Sequence, residues 1–338
     1  MRYIIISKWR LTVVLLCFLL ICSFSISLIL YAKQVVSATG LPEESYIKWV
    51  DFNVSYPALK KAVDIDIVSH TNEDTVTVNF IDILSYLACK YGNNFSKYRS
   101  SDMDALVKKL KNGESIEALS ENMKHFDYYK ECYKTIFGEF LGDYTEEKNG
   151  QKVSKYGLTV FSPIAKGYYY SSYDDFGAGR SYGYKRKHLG HDIMASQGTP
   201  VIAVESGTVT ELGWNQYGGW RIGIRSFDTK RYYYYAHLQK DKPYHSGIEL
   251  GKSVTAGDVI GYVGRTGYSV KENVNNIEKS HLHFGLQLIF DPSQEKGSKE
   301  IWVDLYAITK LLKQNASQVK KNSQTKDFDR ITHITKAT

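Results

Sequence analysis

The chain has 338 residues, 43% of them hydrophobic and 14% aromatic, and carries a formal net charge of +7. That length accommodates two domains, or one large domain with appendages, and the apolar content excludes a disordered chain. The positive charge is diffuse and suits an anionic surface such as a cell wall or phospholipid headgroups. With no basic helix or stacking motif beside it, it gives no ground for a nucleic-acid partner.

Residues 1–10 contain Arg2, Lys8 and Arg10 and precede 22 uncharged residues, 11–32. As a helix this run is about 33 Å long, enough to cross a bilayer. The expectation is a cytoplasmic N-terminus (1–10) and a single-pass transmembrane signal anchor (11–32), with the rest of the chain, 158–314 included, extracellular. The alternative is secretion after cleavage of a signal peptide behind "VVSA", at Ala38. Cys17 and Cys22 fall in this run. Cys89 and Cys132 form no CxxC pair, and either a disulfide or two separately buried thiols would accommodate them.

Residues 45–142 read as a small helical domain. In "VNFIDILSYLACKYG" Phe80, Ile83, Leu84, Leu87 and Ala88 recur at helical spacing. A second helix is expected to be capped by Ser101, with Asp104 three residues on, and to end near Asn112–Gly113. A third covers 127–142. No catalytic constellation occurs here, so the domain is read as a spacer or as the contact for a protein partner. Residues 143–157 are polar and aperiodic and read as a linker.

From Leu158 short β-type runs alternate with glycine-containing turns: "TPVIAVES", "GTVTELGW", "WRIGIRSF", "RYYYYAHLQ", "DVIGYVG" and "HLHFGLQL". Such spacing predicts a compact antiparallel β domain over 158–314, closed by a helix at 300–314. The tail, 315–338, is polar and expected to be loose. The whole is an α+β chain.

Histidines concentrate in the β part. Of nine in the chain, His188 and His191 stand in "HLGHD" and His281 and His283 in "HLH". Strand alternation puts His281, His283, Gly285 and Gln287 on one face and Leu282, Phe284, Leu286 and Leu288 on the other. His188 and Asp192 are an even number apart and point the same way in an extended segment. A catalytic zinc takes three protein ligands and keeps one position open. His188, Asp192 and one of the "HLH" pair supply such a set, leaving the other histidine for acid–base or oxyanion work. His237, expected to share a strand face with Tyr233 and Tyr235, is a fifth candidate. The tyrosine-rich stretch 167–188 fits a cleft wall and an ordinary β-surface equally well.

The H-x-x-x-D of His188 and Asp192, the "YAHL" around His237 and the H-x-H of His281 and His283 occur in this order, separated by "GTPVIAVESGTVTELGW" and "AGDVIGYVGRTG". Residues 160–290 resemble the M23 family of LytM/lysostaphin-type zinc metallopeptidases. The resemblance implies a LytM-like antiparallel fold of the duplicated hybrid motif type, with one Zn2+ per chain held by His188, Asp192 and His283. It implies His237 and His281 as the non-ligating catalytic histidines, and peptide bonds of peptidoglycan as substrate. His191 falls at a variable position of the first motif and on the opposite face. One departure from the family is the expanded "TGYSVKENVNNIEKSHLHF" before H-x-H, which bears on loop geometry and specificity. The competing reading is a non-catalytic LytM-type module that binds or regulates within a cell-wall complex. Loss of ligands would be its signature, and all five positions are filled.

Overall fold

The computed structural model describes residues 46–72, 76–148 and 150–336. Residues 47–338 form one contact unit. Five helices come first: α1 (Tyr56–Thr71), α2 (Phe80–Tyr91), α3 (Ser100–Lys111), α4 (Ile116–Ser120) and α5 (Phe126–Phe137). Each of the longer ones buries an apolar stripe. In α2 it is Phe80, Ile83, Leu84, Leu87 and Ala88; in α3 it is Met103, Leu106, Val107 and Leu110. Asn79 caps α2 by accepting from the amide of Ile81, and Gly92, at φ 59°, ends it in the left-handed conformation. The stripes meet in edge-on aromatic contacts among Phe52, Phe80, Phe137 and Phe140. The expected cap of α3 is corrected: the helix begins at Ser100 behind Arg99, without a side-chain cap. Cys89 and Cys132 are separate free thiols.

The segment 143–157, expected as a linker, is instead a β-hairpin made of β1 (Leu141–Lys148) and β2 (Gln151–Leu158). Glu147 lies opposite Lys152 in register, and Lys155 pairs with Glu146. Charge complementarity across the ladder therefore replaces the apolar alternation whose absence suggested a linker. The tail is not loose. Strands β15 (Val319–Lys321) and β16 (Phe328–Arg330) pair with each other, and β17 (His333–Lys336) adds to β1. Asp327, 1% exposed, fastens the tail by accepting from the Tyr262 hydroxyl at 2.7 Å and pairing with Lys242 at 2.8 Å.

Between these lie β3 (Tyr170–Ser172), β4 (Gly179–Arg180), β5 (Arg186–Lys187), β6 (His191–Ala195), β7 (Pro200–Ile202), β8 (Gly207–Asn215), β9 (Gly219–Ser226), β10 (Arg231–Ala236), β11 (Ser253–Val254), β12 (Val259–Tyr262), β13 (His281–Leu288) and β14 (Ile301–Trp302). The main sheet is antiparallel with strand order β11-β8-β9-β10-β13-β6-β3, and β14 pairs with β13. The predicted helix at 300–314 shortens to α6 (Tyr306–Leu312), because Ile301 and Trp302 extend the sheet beside Gln287 and Leu288. Leu282, Phe284, Leu286 and Leu288 are fully buried, as alternation requires.

The single-pass membrane placement is corrected. No helix among the described residues is long and apolar enough to cross a bilayer. The longest described helix, α1, has 16 residues, too few for the apolar core of a bilayer, and it carries Lys60, Lys61, Asp64 and Asp66. The run 11–32, on which the expectation rested, lies outside the described residues.

Candidate metal centre

Strand β13 lies centrally in the sheet, between β10 and β6. Its pairing sets Asp192 directly opposite His283, while Ala236 flanks His283 from the other side. Paired residues share a sheet face, so register alone brings Asp192 to His283. His188 arrives from outside the sheet. It precedes β6, and its backbone is held by the turn at 177–178: its amide donates to the Ala178 carbonyl at 2.8 Å and its carbonyl accepts from Gly177 at 2.7 Å. The chain then passes beneath the His283 ring at Gly190. A Cβ there would stand 2.6 Å from His283 Nε2 and 3.0 Å from the Phe284 carbonyl oxygen, so a side chain is excluded.

Three atoms converge. His188 Nε2 lies 3.0 Å from Asp192 Oδ1 and 2.9 Å from His283 Nδ1, and the third side of the triangle is 3.1 Å. His188 Nδ1 faces the carbonyl oxygen of Asp175 at 3.1 Å and its Oδ2 at 3.1 Å. Both are acceptors, so Nδ1 carries the proton and Nε2 presents a lone pair. The set is thus two imidazole nitrogens and a carboxylate oxygen. Arg180 donates to the other carboxylate oxygen, Asp192 Oδ2, at 3.0 Å, and to Asp175 at 2.8 Å, fixing the plane of Asp192. A tetrahedral ion about 2.0 Å from its N and O ligands spaces them about 3.3 Å apart. The triangle is close to that size, and the donor set fits zinc.

Burial opposes ionisation of Asp192, but its close contacts with His188 and His283 hold its carboxyl far below the usual range. Burial, followed by proximity to other imidazoles, lowers His237 well below an ordinary histidine, and burial lowers His283. Neutral imidazoles at neutral pH are what a metal site and a proton acceptor both need.

His237 and His281 stand beside the triangle with ring centroids 4.8 Å apart. His237 Nδ1 faces the Thr266 carbonyl at 2.9 Å and His281 Nδ1 the Lys279 carbonyl at 2.8 Å. Each therefore keeps its Nε2 as the accepting nitrogen, that of His281 at 3.7 Å from Asp192 Oδ1. The expected face of His237 is corrected. Tyr233 and Tyr235 are buried in the core against Phe284. His237 instead lines the groove with Tyr234. Strict alternation fails because His237 adopts φ 61°, just past the end of β10, and this left-handed residue turns its side chain back to the open face. His191 points away, 1% exposed and 5.6 Å from the Tyr306 ring.

The centre opens onto a groove of about 910 Å³ whose walls include Arg186, Tyr217, Tyr234, Tyr268 and Trp302. Trp302 occupies the space left by Gly285, where a Cβ would stand 2.7 Å from the indole. Asp175, Arg180, Thr266 and Trp302 escaped the sequence reading. They come from the segment leading into and through β4, a loop after β12 and the short strand β14, and no spacing ties them to the histidine motifs.

Residues 186–295 match the model described as Peptidase family M23. The chain is 41% identical over 124 residues to the L-Ala–D-Glu endopeptidase of Bacillus subtilis, a span covering 37% of this chain and 36% of that protein. It is 39% identical over 98 residues to lysostaphin of Staphylococcus staphylolyticus, covering 29% of this chain and 18% of that one. It is 38% identical over 98 residues to the glycyl-glycine endopeptidase ALE-1 of Staphylococcus capitis, covering 29% and 24%. The match thus spans about a third or less of each of these relatives. The histidine motifs, from His188 to His283, all lie within the residues that match this family model.

Proposed function

We propose that this chain is a zinc-dependent endopeptidase that cuts peptide bonds of peptidoglycan, in stem peptides or cross-bridges. His188, Asp192 and His283 would hold the ion, with His237 and His281 as the catalytic histidines. The observation that carries the reading is the triangle of three metal-ligating atoms, two imidazole nitrogens and a carboxylate oxygen, each within 3.1 Å of the others, on the wall of an open groove. The relatives' own names, L-Ala–D-Glu endopeptidase, lysostaphin and glycyl-glycine endopeptidase, support a peptide-bond substrate and disagree on which bond.

A bound zinc ion supplies Lewis acidity at a peptide carbonyl and acidifies water at the site. The chain's own residues do the rest. The Asp175 carbonyl fixes the tautomer of His188, and Arg180 leaves one oxygen of Asp192 to the ion. His237 and His281 each have Nδ1 tied to a backbone carbonyl, so Nε2 is the atom that takes up and returns a proton at the groove. Burial keeps His237 neutral, so it starts as an acceptor.

Four alanine variants test this. His283→Ala and Asp192→Ala should lose bound zinc and activity together. His237→Ala and His281→Ala should keep about one zinc per chain, with activity down by about 10²- to 10⁴-fold. Activity is read as new amine termini released from isolated sacculi; release of reducing sugar instead would identify a glycosidase. If all four variants match the unmodified chain, the non-catalytic LytM-type module takes the place of this reading.

A further inference from the structure

Of the arginines lining the groove, all but one are ion-paired; Lys187 and Lys296 on the rim are exposed and without an ion pair among the described residues. Arg180 pairs with Asp175 and Asp192, and Arg225 pairs with Glu295 at 3.0 Å. The one acidic wall residue on β8, Glu211, is taken by Arg221 at 2.5 Å. Arg186, half-buried on the same wall, has no carboxylate within ion-pair distance among the described residues.

Neutral groups hold it instead. One terminal nitrogen donates to the Tyr182 carbonyl at 2.8 Å and the other to the Tyr268 hydroxyl at 3.3 Å. The rings of Tyr217, Tyr268 and Tyr184 have their centroids 5.1, 5.5 and 5.9 Å from the guanidinium carbon. Aromatic faces fix the guanidinium without consuming its donors. A guanidinium has five N–H donors; protein acceptors take two, so three remain. The Tyr268 ring in turn lies 5.9 Å from that of His237. The unpaired cation therefore stands one aromatic ring from the reacting centre.

A planar fork, immobilised and partly desolvated, with donors to spare, is suited to a carboxylate, which it can engage with two parallel bonds. We infer that Arg186 is the carboxylate-recognising residue of this groove, and that the substrate is a peptide bearing a free carboxylate close to the bond that is cut. The inference rests on the peptidase reading for its second half only; recognition of the carboxylate does not require cleavage.

The test uses one peptidoglycan stem peptide in two forms, with its glutamyl carboxyl free and with that carboxyl amidated. Binding to the full chain is measured by calorimetry, with and without zinc, and cleavage by steady-state kinetics. The free acid should bind about 10- to 100-fold more tightly than the amide, the range of a charge-assisted hydrogen-bonded pair. The difference should fall in KM rather than kcat. In Arg186→Gln the ratio between the two peptides should shrink to near one, and Arg186→Lys should recover only part of it, since a point charge lacks the fork. Equal weakening of both peptides in Arg186→Gln, or an undiminished or absent preference for the acid, overturns the inference. If the acid is preferred and the preference is lost in Arg186→Gln while neither peptide is cut, the peptidase reading fails and carboxylate recognition stands. Cleavage of both peptides with equal KM has the opposite consequence.

Discussion

Replacing Arg231 by methionine probes how the helical layer is fastened to the sheet that carries the metal centre. The side chain is completely buried. Two of its nitrogens bond Glu205 at 2.8 and 2.9 Å, and the third donates to the Thr135 carbonyl, in α5, at 2.9 Å. Gly138, just past α5, leaves room for it: a Cβ there would stand 2.3 Å from the guanidinium carbon. Burial lowers the pKa of the guanidinium, but the bonds it donates to Glu205 hold it above the ordinary range. In Arg231→Met, Glu205 remains as a buried carboxylate with the Tyr233 hydroxyl, at 2.7 Å, as its remaining side-chain donor. Stranding a buried charge costs about 3–5 kcal/mol. Asp228, 40% exposed, is left to solvent and adds little. Replacing Glu205 by methionine as well removes the stranded charge, so Arg231→Met/Glu205→Met should be no less stable than Arg231→Met alone. The coupling between the two sites should reach at least about 2 kcal/mol. Urea unfolding of the four proteins, followed by circular dichroism and tryptophan fluorescence, measures it. Costs that add within about 0.5 kcal/mol would refute the argument that the charge pair acts as one unit.

Gly190→Ala should displace the His283 ring, because the new methyl would lie 2.6 Å from it; zinc affinity should fall by at least about tenfold while the circular dichroism spectrum is unchanged, and undiminished affinity in a metal titration would show that the ring has room to move. Removing metal with a chelator should lower the thermal midpoint, and added zinc should restore it. At free zinc near 1,000 times its Kd the stabilisation is about 4 kcal/mol, so a midpoint indifferent to zinc would mean that the triangle binds none. Burial pushes the Cys132 thiol up to about 12 and the Cys89 thiol up to about 11. A raised pKa leaves less thiolate at a given pH, so at pH 8 both should alkylate about 100-fold or more slower in native than in unfolded protein. Their native rates should keep climbing with pH beyond 9, and a plateau near pH 9 would contradict the burial.

The sheet and its histidine-bearing face were legible because strand parity is a local property. Once "HLHFGLQL" is a strand, one face must be Leu282, Phe284, Leu286 and Leu288, and the other must hold both histidines. The same holds for the 3.6-residue stripe of α2. Parity also failed where local geometry broke it, at His237, whose left-handed backbone reverses the face that counting assigns. The hairpin at 141–158 was missed although the Asn-Gly dipeptide at 149–150 is a turn signal. Its strands satisfy each other with charges, and apolar periodicity is blind to that.

The sequence by itself determined which residue types are available for a metal and which strand face carries His281 and His283, since both follow from residues a few positions apart. Only the tertiary structure decided that the Asp175 carbonyl sets the tautomer of His188, that Arg180 orients Asp192, and that Gly190 makes way for the His283 ring. It likewise decided that four tyrosines and one unpaired arginine gather beside His237. Most of these contacts join residues well separated in the chain, 12 positions for Arg180 and Asp192 and 82 for Arg186 and Tyr268. Their existence depends on how the loops are packed, and nothing in the local pattern of either partner encodes the distance between them.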